Sequence, residues 1–100
     1  MKLMQLVLKP KVPRAEIMGA FEQVAPAFAA IEGLVWKVWM ENKENGHISG
    51  LYYFRDPAAL DAYQATDMYK SGFNHPLFEV VSSNTYDILE GLSKVTRAPL

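Results

Sequence analysis

The chain contains no cysteine among its 100 residues, which excludes disulfide frameworks, thiolate metal sites and cysteine nucleophiles. It also lacks an excess of charge of one sign, because 11 acidic residues stand against 10 basic ones and the net charge is −1. A basic surface for nucleic acid is therefore not expected. No apolar run is long enough for a membrane span or a signal peptide. We expect a cytoplasmic protein with neither a nucleic-acid nor a membrane partner.

Motifs for metals, phosphates and acyl transfer are missing as well. His47 and His75 lie far apart in the sequence, so they lack metal-ligand spacing and we expect no metal site. There is no glycine-rich phosphate loop and no G-x-S-x-G elbow. Half of the residues are hydrophobic, and 100 residues are enough for one core. We therefore predict a single domain over residues 1–100.

The most informative segment that is present runs from Gly33 to Glu41, because it places both tryptophans in one predicted strand. Side chains of a strand alternate between its two faces. One face is wholly apolar and is predicted to pack under helices: Trp36, Val38 and Met40. The other face combines charge with a large aromatic side chain, which is typical of a dimer interface or a ligand cavity: Val35, Lys37, Trp39 and Glu41.

Turn signals and hydrophobic periodicity divide the rest of the chain. Apolar residues at steps of three and four predict a helix opened by Pro13, and Asp56-Pro57 is typical of the start of a second helix. Residues 69–76 are predicted to be a loop, and residues 89–100 a C-terminal arm. Strands are predicted over residues 2–9, 34–42, 47–54 and 78–88. The order β-α-β-β-α-β indicates the α+β class with a ferredoxin-like antiparallel sheet.

The turn between the second and third strands decides which residues face each other. A two-residue Asn45-Gly46 turn would pair Trp39 with Tyr52. A three-residue loop ending in a left-handed Gly46 would instead pair Lys37 with Tyr53 and Trp39 with Leu51. We favour the three-residue loop, because it leaves Tyr52 and Phe54 on the apolar, helix-covered face.

Two helices on one face of the sheet leave the other face uncovered. That second face is predicted to carry apolar side chains: Leu3, Val7, Val35, Trp39 and Leu51. Such a surface is too apolar to stay in water. We therefore expect a homodimer in which two sheets pair as a dimeric α/β barrel, with the arm of each chain crossing onto its partner.

Several of these segments together resemble a known family. They are Trp36-Lys37-Val38-Trp39 followed by Glu41, Gly50-Leu51-Tyr52-Tyr53-Phe54, the Asp56 helix with Ala62-Tyr63, Glu79-Val80-Val81 and residues 92–100. The chain resembles the YdhR-type monooxygenases, members of the dimeric α/β-barrel group that includes the antibiotic-biosynthesis monooxygenases. The resemblance implies an oxygen-dependent reaction on a small aromatic or phenolic compound, without metal or flavin and hence without a cofactor. In related monooxygenases, tryptophan, tyrosine and asparagine side chains line the substrate cavity.

Candidate site residues combine this resemblance with the residue inventory. His75 is the better placed of the two histidines for a general base, and Tyr53, the outward tyrosine, is assigned to hydrogen-bond a substrate phenol. The predicted substrate contacts are Trp39, Trp36, Tyr52, Asn74, Lys37 and Glu41. Structural alternatives stand beside these roles: core packing for Trp36, a dimer contact for Trp39, an ion pair between Lys37 and Glu41, and a local hydrogen bond for His75.

Two other classes of function fit the same sequence. One is a non-catalytic module that binds a hydrophobic small molecule or serves in assembly. The other is a cofactor-free isomerase or dehydratase, which needs the same pocket but no oxygen. Dependence of turnover on oxygen distinguishes the isomerase from the monooxygenase, and the absence of any turnover indicates the binding module.

Overall fold

The computed structural model describes all residues 1–100 and contains one four-stranded sheet and four α-helices. The strands are β1 (Lys2–Pro10), β2 (Leu34–Glu41), β3 (Ile48–Phe54) and β4 (Phe78–Asp87). The helices are α1 (Arg14–Ala29), α2 (Pro57–Gln64), α3 (Asp67–Ser71) and α4 (Glu90–Val95). Neighbouring strands are antiparallel in the order β2-β3-β1-β4. The predicted α+β class and ferredoxin-like order are confirmed, and α3 and α4 are additions.

Helices α1 and α2 pack against the same side of the sheet, which we call the helix-covered face. The core on this face combines side chains of β1, β3 and α2: Met4, Leu6, Leu8, Tyr52, Phe54, Ala59, Leu60 and Tyr63. Phe21 and Phe28 of α1 pack against this cluster. Alternate residues of β1 and β3 thus supply one continuous apolar layer, as the period of a strand requires.

Local signals fix where α2 and β2 begin. The Asp56 side chain accepts a hydrogen bond from the Ala59 backbone N–H (2.8 Å), and Pro57 occupies the first helical position. Gly33 has a φ of +83°, and a Cβ there would collide with the Ala59 Cβ. Only glycine suits this position. Gly33 does not end α1, which stops at Ala29, but turns the chain into β2 against α2.

The hairpin between β2 and β3 has a four-residue loop, Lys43 to Gly46, so the predicted three-residue loop was wrong by one residue. The Asn42 N–H donates to the His47 carbonyl and the Gly46 N–H to the Asn42 carbonyl, both at 2.8 Å. Gly46 has the predicted left-handed backbone, with a φ of +74°.

This one-residue difference reverses the predicted faces of β2. Lys37 lies opposite Tyr52 and Trp39 opposite Gly50, whereas Trp36 lies opposite Tyr53. Because strand side chains have a period of two, a one-residue shift moves every side chain to the other face. Trp39 therefore packs under α1, and the prediction that Trp36 and Val38 lie there was wrong. The register shifts again between Leu34 and Trp36, which leaves Val35 without a partner in β3.

The side of the sheet without α1 and α2, which we call the open face, remains apolar after this correction. The strands place these side chains on it: Leu3, Val7, Trp36, Val38, Leu51, Tyr53 and Tyr86. Val38 and Tyr86 are nearly half exposed. The strand register confirms that Leu3, Val7 and Leu51 lie on the open face. The tryptophan on this face is Trp36, whereas Trp39 was predicted.

Two segments are more ordered than the sequence indicated. The predicted loop 69–76 contains the end of α3 and a 3-10 turn over Gly72–Asn74, and Thr66 caps α3 by accepting from the Tyr69 N–H. The C-terminal arm contains α4 and is tied back to the sheet, because the Trp36 Nε1–H donates to the Pro99 carbonyl (2.9 Å). No helix of the chain is long and apolar enough to cross a membrane.

Candidate functional site

A cavity of about 190 Å³ lies between the helix-covered face and helices α1, α2 and α3; we call it the inner cavity. Aliphatic and aromatic side chains of β1 and α1 form much of its wall. Besides Trp39, the side chains with polar atoms that line it are Lys37, Tyr52, Tyr63, Tyr69, Ser71 and His75. An apolar enclosure with a few polar groups is the usual form of a small-molecule site.

Trp39 forms one wall of the inner cavity and is held by two rings of α1. Its ring centroid lies 5.2 Å from that of Phe21 and 5.5 Å from that of Phe28, with the Phe28 ring edge-on. Trp39 also borders a shallower depression of about 330 Å³ beside Glu41, the outer cleft. Of the two roles predicted for Trp39, the structure places it as a cavity wall.

Lys37 has the least usual environment in the chain. Its Nζ lies 3.5 Å from the ring centroids of Phe28 and Trp39 and 4.3 Å from that of Tyr52. No hydrogen bond or salt bridge within the chain reaches it. Glu41, the predicted ion-pair partner of Lys37, is bound by Arg14 (2.7 and 3.2 Å). Burial lowers the pKa of Lys37 to about 7, since an amine removed from water disfavours its charged form. The three aromatic faces favour a higher pKa, because they attract the ammonium form of Lys37.

Three tyrosines bring hydroxyl groups to the inner cavity. Burial raises the pKa of Tyr63 to about 12 and raises that of Tyr52 further, so both remain protonated hydrogen-bond donors at neutral pH. The Tyr69 hydroxyl lies 3.1 Å from the Ser83 Oγ. Tyr63 and Tyr69 were not predicted as site residues. Tyr63 belonged to the Ala62-Tyr63 segment of the second predicted helix, which was the available signal, but Tyr69 was assigned to a loop.

His75 lines the inner cavity, yet its ring is already engaged. The Leu77 backbone N–H donates to its Nδ1 (3.1 Å), and the ring stacks on Phe78 with centroids 4.3 Å apart. Because Nδ1 accepts this bond, the proton of the neutral ring belongs on Nε2. In this geometry His75 can donate a hydrogen bond to a ligand. To act as a general base it must first give up the bond from Leu77.

The other predicted site residues lie outside the inner cavity. Tyr53 is on the open face, where its ring packs on Trp36 and its hydroxyl donates to the Met1 Sδ (2.6 Å). Asn74 is exposed in the 3-10 turn. Glu41 lines the outer cleft. The structure thus brings together four of the eight predicted residues, Lys37, Trp39, Tyr52 and His75. Nowhere do three or more His, Asp or Glu side chains form a group that could hold a metal ion.

The sequence profile of one protein family matches almost the whole chain. The family is described as "Putative mono-oxygenase ydhR", and the match covers residues 3–99. The chain therefore belongs to this family, as the resemblance in its strand and helix motifs predicted. No curated protein matches the sequence.

Solved structures share the fold at low sequence identity. One is described as a putative antibiotic biosynthesis monooxygenase from Deinococcus radiodurans: it is 14% identical, with 88% of this chain and 92% of that chain covered and a TM-score of 0.71. Another is SnoaB from Streptomyces nogalater, described as a cofactor-independent oxygenase: it is 13% identical, with 87% and 91% covered and a TM-score of 0.72. These similarities establish the ferredoxin-like fold of the antibiotic-biosynthesis-monooxygenase type.

Proposed function

We propose that this protein is a cofactor-independent monooxygenase that acts on a small aromatic compound held in the inner cavity. The observation that carries the proposal is an aromatic cavity with an unpaired amine, Lys37, on its wall. Membership of a family described as mono-oxygenases supports it. The fold shared with SnoaB, described as a cofactor-independent oxygenase, adds support.

The size of the inner cavity favours a single-ring compound. Its volume is about 190 Å³, and an apolar cavity of about 150 Å³ is enough to hold benzene. Trp39 and Phe28 offer flat walls against which an aromatic ring can pack edge to face or offset. Tyr63, which accepts a hydrogen bond from Tyr52, and His75 can donate hydrogen bonds to oxygen atoms on that ring.

The chemistry requires little from the protein beyond binding. An electron-rich phenol, once deprotonated, can pass an electron directly to dioxygen, and the two radicals then combine. The cavity would hold the phenol in position, keep water away and provide a proton acceptor. A general base contributes about 10²–10⁴-fold to such a rate. Tyr53 and Trp36 have no part in this proposal, because they lie on the open face.

Oxygen uptake by metal-stripped protein tests the proposal against a panel of single-ring phenols and dihydroxyarenes. We expect turnover that needs oxygen but no added cofactor. Trp39→Ala should lower kcat/KM by about tenfold to a hundredfold, because the ring loses its position. Trp36→Phe, a change in the same strand on the other face, is the matched control and should retain activity.

Other outcomes of this assay indicate the other functions. Equal rates with and without oxygen would indicate a cofactor-free isomerase, a candidate favoured by Lys37, because a neutral amine can move a proton without oxygen. Absence of reaction with the whole panel, together with saturable binding of its members, would indicate a small-molecule-binding module.

We also infer that the open face is covered by a second copy of the chain. Val38 and Tyr86 on the sheet and Leu92 and Val95 on α4 are exposed apolar side chains, and a contiguous patch of this kind is typical of an interface. Sedimentation equilibrium at micromolar concentration should show a dimer, and truncation after Glu90 should weaken it. A well-folded monomer would contradict the homodimer. The cytoplasmic location stays a prediction.

A further inference from the structure

The Lys37 amine is available to a ligand, because no group in the chain forms a hydrogen bond or a salt bridge with it. Its Nζ makes no hydrogen bond or salt bridge, and the nearest acid along β2, Glu41, is bound by Arg14. No fully buried side-chain nitrogen or oxygen atom in the chain lacks a partner, so the unpaired Nζ is not fully buried. Three aromatic rings surround the amine, and Lys37 lines the inner cavity.

The strand beside Lys37 keeps space for this amine. Gly50 of β3 lies opposite Trp39, next to the Lys37–Tyr52 pair. A Cβ at position 50 would lie 2.8 Å from the Lys37 Cε and 2.8 Å from the Tyr52 Cε1. Glycine weakens the interior of a strand and often marks a close approach. Here the aliphatic part of the Lys37 side chain lies over Gly50, and a larger residue at position 50 would occupy the same space.

The other titratable side chains around the cavity are one histidine and three tyrosines. Facing Lys37 from the packed elements are Tyr52 of β3, Tyr63 of α2, Tyr69 of α3 and His75 from the loop before β4. The parts of α1 and β1 that line the cavity provide only apolar side chains, and no carboxylate lines it. Burial keeps Tyr52 and Tyr63 protonated by raising the pKa of each, and the Nδ1 of His75 is occupied by the Leu77 N–H.

Burial has the opposite effect on Lys37, because it lowers the pKa of the amine. With its pKa lowered to about 7, a large fraction of the amine is neutral near neutral pH and has a free lone pair. An anion arriving beside Nζ would favour the ammonium form again, because an opposite charge stabilises it in a low dielectric. Near neutral pH the empty site therefore holds a partly neutral amine, and it can become an ion pair when filled.

We propose that Lys37 takes the proton from a ligand hydroxyl, so that the inner cavity selects aromatic compounds whose acidic phenolic or enolic hydroxyl binds as the oxyanion against the Lys37 ammonium. The O–H bond of the ligand breaks, an N–H bond forms on Nζ, and the net charge of the complex does not change. This inference rests on the inner cavity being the ligand site of the proposed function. It assigns the general base to Lys37 and leaves His75 as a hydrogen-bond donor.

Binding of 4-nitrophenol tests the proton transfer directly, because the phenol is colourless and the phenolate is yellow. The titration is performed below the pKa of free nitrophenol, with 4-nitroanisole as a ligand of similar shape that has no acidic proton. We expect the wild-type protein to bind both compounds and to turn nitrophenol yellow. Lys37→Met should bind nitroanisole as the wild type does, bind nitrophenol about tenfold more weakly or worse, and produce no colour.

Two further measurements identify the proton acceptor. His75→Ala removes a hydrogen-bond donor and should weaken binding, yet the nitrophenol that binds should still turn yellow. Loss of colour in His75→Ala with retention in Lys37→Met would overturn the proposal in favour of His75. In protein with isotope-labelled lysine, nuclear magnetic resonance should show Lys37 losing its proton near neutral pH. Nitrophenol should keep it protonated to higher pH, and nitroanisole should not.

The two ligands separate failure of this inference from failure of the proposed function. If nitroanisole binds and nitrophenol binds without colour, Lys37 is not the proton acceptor, and the cavity remains a candidate site for an aromatic substrate. If neither compound binds, both the inference and the aromatic cavity on which it rests are contradicted.

Discussion

The two tryptophans of β2 lie three residues apart and have opposite surroundings. Trp36, on the open face, has its N–H fixed by the Pro99 carbonyl and its ring packed on Tyr53. Trp39, on the helix-covered face, borders an empty volume and lies against the amine of Lys37. The residue type is the same, so the difference in role comes from neighbouring elements. The strand joins a structural contact on one face to a candidate site on the other.

The largest expected difference between the two faces is in stability. Tyr52→Ala removes a side chain that is only 2% exposed and packs on Phe28, Phe54 and Tyr63. We expect the free energy of unfolding to fall by about 3–5 kcal/mol. Tyr86→Ala on the open face, where the ring is nearly half exposed in the single chain, should cost the monomer about 1 kcal/mol or less. Urea denaturation at one protein concentration measures both, and equal losses would contradict the distinction between the faces.

The next effect is a pH-dependent gain in stability on replacing Lys37. The pKa of Lys37 is about 7 in the folded protein against an ordinary 10.5. Between these pH values the unfolded chain binds more protons, so the stability of the wild type rises with pH. Lys37→Met should therefore stabilise the protein by about 2–4 kcal/mol below pH 7. The gain should shrink as the pH rises towards the ordinary value.

Denaturant unfolding across this pH range provides the measurement for Lys37→Met. Lys43→Met, a change in the exposed hairpin loop, is the matched control and should show almost no such dependence. A gain in Lys37→Met that is constant with pH would mean that the lysine is as well solvated in the folded protein as in the unfolded chain.

A smaller loss is expected from filling the space at Gly50. Gly50→Ala brings a methyl group against the Lys37 stem and the Tyr52 ring and should destabilise the fold by about 1–3 kcal/mol. Gly19→Ala in α1 is the control, because nothing lies within 4 Å of its added Cβ. It should be neutral or stabilise by about 0.5–1 kcal/mol.

The Lys37→Ala change tests whether the lysine is the obstacle at Gly50. In the double variant with Gly50→Ala, part of the loss should disappear, giving a non-additive cycle. Strictly additive losses, measured by thermal denaturation, would show that the lysine stem does not lie over Gly50.

The smallest effect belongs to the contact that holds Trp36. Deleting Pro99 and Leu100 removes the carbonyl that accepts from the Trp36 Nε1–H and should cost about 0.5–1.5 kcal/mol. In a Trp36→Phe background the same deletion should cost measurably less, because the donor is already absent. Thermal denaturation of the wild type, the deletion variant, Trp36→Phe and their combination measures both costs. An identical cost in the two backgrounds would show that the two C-terminal residues stabilise the fold through other contacts.

The sequence predicted the element order because each element carried its own local signal. Alternation marked the four strands, the apolar stripe marked α1, and Asp56-Pro57 marked α2. The faces of β2 were predicted wrongly, because Asn45-Gly46 is compatible with loops of several lengths and a single residue reverses both faces. Burial of Lys37 depends on Phe28 and Tyr52, which are distant in sequence, so no local pattern reveals it. The Arg14–Glu41 pair was hidden for the same reason.

The placement of one indole on each face of β2 also gives the protein two separate intrinsic fluorophores. The emission of an indole responds to the charge and polarity beside it. In a Trp36→Phe background, Trp39 alone would report the charge of Lys37 and the filling of the inner cavity. In a Trp39→Phe background, Trp36 alone would report the C-terminal arm and the open face. A single strand thus allows ligand binding and self-association to be followed independently, with no added label.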